Sequence, residues 1–401
     1  MKQYSNVRNL ICLLFFLLPF VAGCWSSHEI EEISLTVGLS LDKGEVSTVE
    51  KELEEQGGGY SKNNNLTITF QSVNTKISGT ESKGGGTGQK SYLNISETGD
   101  STFQIVREIP LRMERPLFGY HLKVIILSEE LVSTYSLDEL LDSYLRDDDI
   151  RPSCLVLISK NKASEALESK ENGEIPSFRL VKMVDNIYRT TRVLPPMPLA
   201  KLTGKMQSDS SFLLQNVISA DGEVKFAGAA VIKGNTKKYL GTLNEEELEG
   251  ITWITGKGKG GVVKTIDKEK GHLIVYEIKS MKSKIIPHVN GENISFDVNI
   301  ESNGRLSESG AISENLFDKV FLKKYEKAIE TEVKHLMKNV VLKMQDDYKT
   351  DVAGFGNQLR IKHPKVWEKV KKDWDDTFSE IPIKYNVEIT ITNYGTLGSK
   401  K

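Results

Sequence analysis

Cysteine is scarce in this chain: three residues in 401, at positions 12, 24 and 154, too few for a framework of disulfides. A dominant charge is missing too. With 53 basic and 55 acidic residues the net charge is −2, so no overall positive field exists to hold a polyanion, and nucleic acid is excluded as a main partner. Beyond residue 22 no apolar run approaches membrane-spanning length, the longest candidates being 124–127 and 227–232. The six histidines, at 28, 121, 272, 288, 335 and 363, include no HExxH and no second histidine three to five residues on, so no metal centre declares itself. There is also no Gly-x-Ser-x-Gly elbow and no paired-cysteine motif. Catalysis therefore has no positive signal, and the chain reads as non-enzymatic.

What is present begins at the N-terminus. Lys2 and Arg8 precede a 13-residue apolar run at 10–22, broken only by Pro19. A spanning helix needs about 20 apolar residues, so the run reads as the core of a secretory signal. It ends in Val21-Ala22-Gly23-Cys24, which looks like a lipobox. Small residues before the cysteine fit the tight pocket of a dedicated peptidase, so Val21, Ala22 and Gly23 are its recognition residues. Cys24 is the lipid acceptor, because a thiolate can take a diacylglyceryl group as a stable thioether. The bland alternative is an uncleaved anchor with a buried cysteine; the placement of Cys24 right at the end of the apolar run argues against it. Cleavage removes residues 1–23 and leaves 51 basic against 55 acidic residues, a net charge of −4. Two acyl chains hold such a protein durably on a bilayer. Apart from that lipid, no cofactor is implied. Cys154 then stands alone in an apolar run, 153–158, that reads as a buried strand, where a free cysteine behaves as a small hydrophobe.

Along the mature chain, 34–41 and 66–73 alternate as strands and frame two polar insertions, 42–65 and 76–100, with little to bury and an expectation of mobility. A helix at 101–108 stopped by Pro110, a strand at 120–127 and a helix opened by the capping box Ser136 to Glu139 follow. The Cys154 strand and a helix near 163–168 complete one α/β domain over 24–193. Leu194-Pro195-Pro196-Met197-Pro198 marks a boundary, since consecutive prolines disfavour helix and sheet pairing. A hairpin turning at Asp221-Gly222 and a short acidic helix from Asn244 form a middle segment, 199–265. Strands at 271–281 and 293–301 open a third, 266–401. Its strongest feature is 313–348, whose apolar positions follow the 3.6-residue rhythm almost without fault and predict one long amphipathic helix. A second helix, opened by Pro364 and carrying Trp367 and Trp374, precedes a strand near 383–391.

Several apparent motifs are weaker than they look. Residues 84–91, GGGTGQKS, nearly match a phosphate-binding loop, but Gln89 replaces the second required glycine and no helix follows. Residues 256–261 satisfy GxGxxG formally, yet a strand-like run at 262–265 follows where a dinucleotide site needs a helix N-terminus. Asp147, Asp148 and Asp149 could face a hard cation, but Arg146 and Arg151 flank them, so a solvated turn is the better reading.

Several stretches together resemble the Ger(x)C family, the C-subunit lipoproteins of spore germinant receptors. They are Gly23-Cys24-Trp25 with His28-Glu29-Ile30-Glu31; residues 119–130, GYHLKVIILSEE; Arg146-Asp147 with Ile150-Arg151-Pro152; Gly354-Phe355-Gly356; and His363-Pro364-Lys365-Val366-Trp367 with Trp374. They span nearly the whole mature chain. The acidic turn carries an extra aspartate where a proline is common, and the insertions before residue 100 look longer than usual. The resemblance implies an α+β fold of three sheet-centred domains with surrounding helices. It also implies a lipid-anchored protein on the outer leaflet of the spore inner membrane, facing away from the cytoplasm. Its partners would be the bilayer, the A subunit and the permease-like B subunit, with a nutrient germinant as a further candidate. Its role would be in nutrient-triggered germination. The runner-up is an extracytoplasmic solute-binding lipoprotein of a transporter, which would show two doubly wound lobes and a hinge.

Overall fold

The computed structural model describes residues 33–59, 61–75, 89–269, 271–309 and 319–393. Strands β1 (Ser34–Lys43), β2 (Leu66–Val73), β3 (Tyr92–Gly99), β4 (Leu117–Phe118), β5 (Val124–Ser128), β6 (Leu155–Ser159), β7 (Phe212–Ala220), β8 (Glu223–Ile232) and β9 (Tyr239–Leu243) make a nine-stranded sheet. Its order is β3-β2-β1-β5-β6-β7-β8-β9, with β4 beside β1. The centre is parallel, β1 to β5 to β6 to β7, and both edges are antiparallel hairpin additions. Strands buried on both faces must be apolar on both, and β5 (VIILS) and β6 (LVLIS) are buried at every position. Ile125, Leu127, Val156 and Ile158 pack into one core, while Val124, Ile126, Leu155 and Leu157 pack into another on the opposite face.

The helices around this sheet are α1 (Thr48–Leu53), α2 (Thr102–Glu108), α3 (Glu129–Thr134), α4 (Leu137–Arg146), α5 (Pro176–Val184) and α6 (Leu199–Met206). The expected capping box opens α4: Glu139 N–H donates to Ser136 Oγ at 3.3 Å and Ser136 N–H donates to Glu139 Oε2 at 2.7 Å. The expected hairpin forms as well, with Asp221 and Gly222 at φ 52° and 76°, the left-handed pair of a tight two-residue turn.

Two expectations need correction. The 76–100 segment is not wholly an insertion, since β3 pairs with β2 over its full length, from Leu66 opposite Gly99 to Val73 opposite Tyr92. Its sequence hides this because its partners are polar: Thr69 meets Ser96 at 2.8 Å, and Gln71 donates to Asn94 at 3.1 Å. The 42–65 segment also holds structure. Helix α1 is opened by a Ser47–Glu50 capping box, and buried Glu50 accepts from Thr98 N–H at 2.6 Å. Residues 76–88 lie outside the described residues.

The second sheet is β10 (Val262–Ile266), β11 (Leu273–Asn290), β12 (Asn293–Ser309) and β13 (Ile383–Asn393), with β12 and β13 parallel and the other pairs antiparallel. Helix α7 (Glu245–Thr255) lies between the sheets, and α8 (Lys319–Leu342) is the long helix, continued by a wider turn to Asp347. The described strands thus form two sheets, and those at 212–243 extend the first. Tyr325, Ile329, Val333, Met337, Val340 and Met344 form the buried stripe of the long helix, in the same core as Trp253 of α7 and Phe296 of β12. The two helices touch closely at Gly250, where a Cβ would stand 2.5 Å from the Leu336 carbonyl oxygen. Residues 355–380 form three short helices, α9 (Phe355–Lys362), α10 (Pro364–Val370) and α11 (Trp374–Glu380). Trp367 and Trp374 therefore stand on two helices instead of one.

Candidate functional site

Cys24, Val21, Ala22 and Gly23 lie outside the described residues, as does His28. Among the described residues no helix is long and apolar enough to cross a membrane. No cluster of His, Cys, Asp and Glu among them could hold a metal ion. Cys154 is fully buried in the first-sheet core, and burial pushes its thiol well above the ordinary value, away from nucleophilic chemistry. Lys90, from the loop that mimics a phosphate-binding sequence, pairs with Glu168 at 2.5 Å and lies over the Tyr92 ring at 5.1 Å. Gly256 is the left-handed cap of α7 at φ 64°, and β10 follows, so the glycine run is a helix stop.

The recognisable stretches come together at two places. At the first, the 119–121 turn packs on the acidic turn after α4. A Cβ at Gly119 would fall 2.8 Å from Ile150 Cδ1, so the two turns approach closely here. Contact with Asp149 raises the Tyr120 hydroxyl above its usual pKa. Asp147, Asp148 and Asp149 are exposed; Asp147 Oδ1 accepts from Asp149 N–H at 2.9 Å, a local turn closed by an aspartate side chain. Arg146 does not neutralise them but pairs with Asp142 at 2.8 Å on its own helix. Beside these residues lies a cavity of about 640 Å³, with Phe70, Phe103 and Leu122 among its apolar lining.

At the second place the C-terminal signature residues are organised around Asp351, which the sequence reading did not single out. This carboxylate is 7 % exposed. Its Oδ1 accepts from Ala353 and Gly354 N–H at 3.0 and 2.7 Å, and its Oδ2 from Gly356 N–H at 2.7 Å and Trp374 Nε1 at 3.3 Å. It thereby satisfies the donors at the start of α9, which nothing within the helix could reach. Burial pushes the Asp351 carboxyl up, against the opposing pull of those backbone N–H groups. Gly354 sits at φ 92° to make the turn. Gly356 leaves room for the indoles, since a Cβ there would be 2.7 Å from Trp374 and 3.0 Å from Trp367. Trp374 meets Trp367 edge-on at 5.3 Å and Phe296 of the second sheet at 6.4 Å. The signal available in the sequence was an aspartate three residues before a glycine at a helix start. This node forms one wall of a cleft of about 1270 Å³, whose lining also includes α6 and the end of α7.

Two family models match the chain: one described as "Spore germination protein N-terminal domain" over residues 26–218, the other as "Spore germination B3/GerAC like, C-terminal" over residues 227–395. The chain is 52% identical over 401 residues to "Spore germination protein YndF" of Bacillus subtilis (strain 168), covering 99% of this chain and 98% of that relative. It is 28% identical to "Spore germination protein B3" of the same organism, over 96% of this chain and 98% of the other. Among solved structures, the crystal structure of the GerBC protein matches with a TM-score of 0.61 at 27% identity, covering 84% of this chain and 97% of that one.

Proposed function

The chain belongs to the GerAC-like spore germination family, and on that premise we propose that it is the lipid-anchored C subunit of a nutrient germinant receptor. The observation that carries the reading is the extent of the match: the two family models run from residue 26, two positions after Cys24, to residue 395. Cys24 bears the diacylglyceryl group and tethers the folded part to the outer face of the spore inner membrane. The subunit acts by assembly with an A subunit and a permease-like B subunit, without chemistry of its own. The fold fits a role in assembly: the signature residues at Asp351–Trp374 organise a helix start and a core contact. A transporter's solute-binding lipoprotein is disfavoured, because its two doubly wound lobes do not match a mixed sheet with hairpin edges and a second sheet built on a long hairpin.

The test is germination of spores lacking the gene, scored by dipicolinate release after a nutrient panel and after a trigger that bypasses receptors. Loss of response to particular nutrients with an intact bypass response is expected; undiminished response to every nutrient in a strain also cleared of paralogous receptors would refute the role. The anchor has its own test. Cys24→Ala is expected to yield unprocessed or shed protein that leaves the detergent phase, because the two-chain anchor cannot form. Detergent partitioning equal to wild type would remove the lipid from the account.

A further inference from the structure

Seven lysines line the cleft of about 1270 Å³, and three of them, Lys201, Lys205 and Lys257, come from two parts of the fold and stand near one another. Lys201 and Lys205 lie four residues apart on α6, whose Leu199, Leu202 and Met206 are rooted in a core of the first sheet. Lys257 follows the cap of α7, whose Ile251, Trp253 and Ile254 are rooted in the core shared with the second sheet. Among the described residues none of the three pairs with a carboxylate, and Lys201 Nζ has only the Pro196 carbonyl at 3.5 Å. The face between them is open, since a Cβ added at Gly204 would meet nothing within 4 Å. Desolvation lowers the Lys257 ammonium below the usual lysine pKa, repulsion from Lys205 and then Lys201 lowers it further, and no carboxylate offsets them. The α7 C-terminus offers only about half a negative charge against three ammoniums. Of the acidic residues that line the cleft, Asp351 is buried in the start of α9, Asp375 pairs with Lys233 at 3.2 Å, Asp373 and Asp376 follow Lys371 and Lys372 in sequence, and Asp209 is exposed beyond α6; the bases of the lining, seven lysines and Arg360, outnumber these five.

We propose that this cleft is a binding site for a phosphate-type oxyanion, held by Lys201, Lys205 and Lys257 across the junction of the two cores. Lysines suit such a ligand as freely oriented point charges. Because the ammoniums come from both cores, the anion ties the two together and removes a repulsion present without it.

The site is read on the full-length mature lipoprotein in detergent, by titration calorimetry and melting temperature. The probes are inorganic phosphate, a short-chain phosphatidylglycerol and chloride at matched ionic strength. Phosphate is expected to bind and to raise the melting temperature more than chloride does. Each of Lys201→Gln, Lys205→Gln and Lys257→Gln should weaken binding about tenfold, while Lys205→Arg keeps it. If the short-chain lipid competes with phosphate, the source is a headgroup; if phosphate binds and the lipid does not, the source is a free phosphate or its ester. Equal stabilisation by chloride would mean simple screening and overturn the proposal. Phosphate binding unchanged in the triple glutamine variant would overturn it as well.

Discussion

Two aspartate turns carry recognisable residues of this chain, and they are built in opposite ways. The three aspartates of the turn after α4, Asp147, Asp148 and Asp149, are exposed, and their side-chain contacts are local: Asp147 with the backbone two residues on, and Asp149 with Tyr120 of the neighbouring loop. The turn at Asp351–Gly356 is buried, and its single carboxylate serves three backbone donors and one indole 23 residues away in sequence. A charged signature residue therefore has no fixed meaning. On the first turn the charge remains solvated and free to meet a partner; on the second it substitutes for the backbone acceptors that a helix start lacks.

The widest separation between the turns should come from Asp351→Ala. It strands buried N–H groups, and a loss of about 3 kcal/mol is expected, read from urea unfolding followed by tryptophan fluorescence. The same carboxyl carries a pH signature. Its folded pKa lies above the unfolded value of 3.8, so the folded state holds the proton longer. That contribution to stability is full below the unfolded value and is lost as pH rises through the folded one. Asp351→Asn should flatten the fall in stability just above the ordinary aspartate range; an unchanged profile would show that the carboxyl is not raised. Gly356→Ala should cost about 2 kcal/mol by forcing a methyl against both indoles. Ser136→Ala removes the α4 cap and should cost about 1 kcal/mol, seen as faster amide exchange confined to the start of that helix. Asp148→Ala on the exposed turn should change stability by less than about 0.5 kcal/mol. A loss as large as that of Asp351→Ala would abolish the contrast.

Legibility followed how local each signal was. The long helix was read from 313–348 because its stripe repeats within one element; it is described as Lys319–Leu342 with a turn to Asp347, residues 313–318 lying outside the described set. The α4 cap and the Asp221-Gly222 turn were equally readable, since each is decided within four residues. β3 was missed because a strand whose neighbours are matched through hydroxyl and amide pairs shows no apolar alternation. Asp351 was missed for a related reason: its importance lies in donors supplied by Gly354, Gly356 and a distant tryptophan, which no window around it contains.

By itself the sequence determined the α+β class, the long helix and the family, and raised the secretory start and the lipid-acceptor cysteine as expectations, because each rests on local periodicity or on residues adjacent in the chain. Tertiary structure alone decided that β7, β8 and β9 continue the first sheet, that β12 and β13 run parallel across a gap of more than 70 residues, and that lysines from α6 and beyond α7 face one cleft. Those facts depend on which surfaces bury one another. Burial is settled among elements distant in sequence, where a shared core fixes neighbours that no local pattern names.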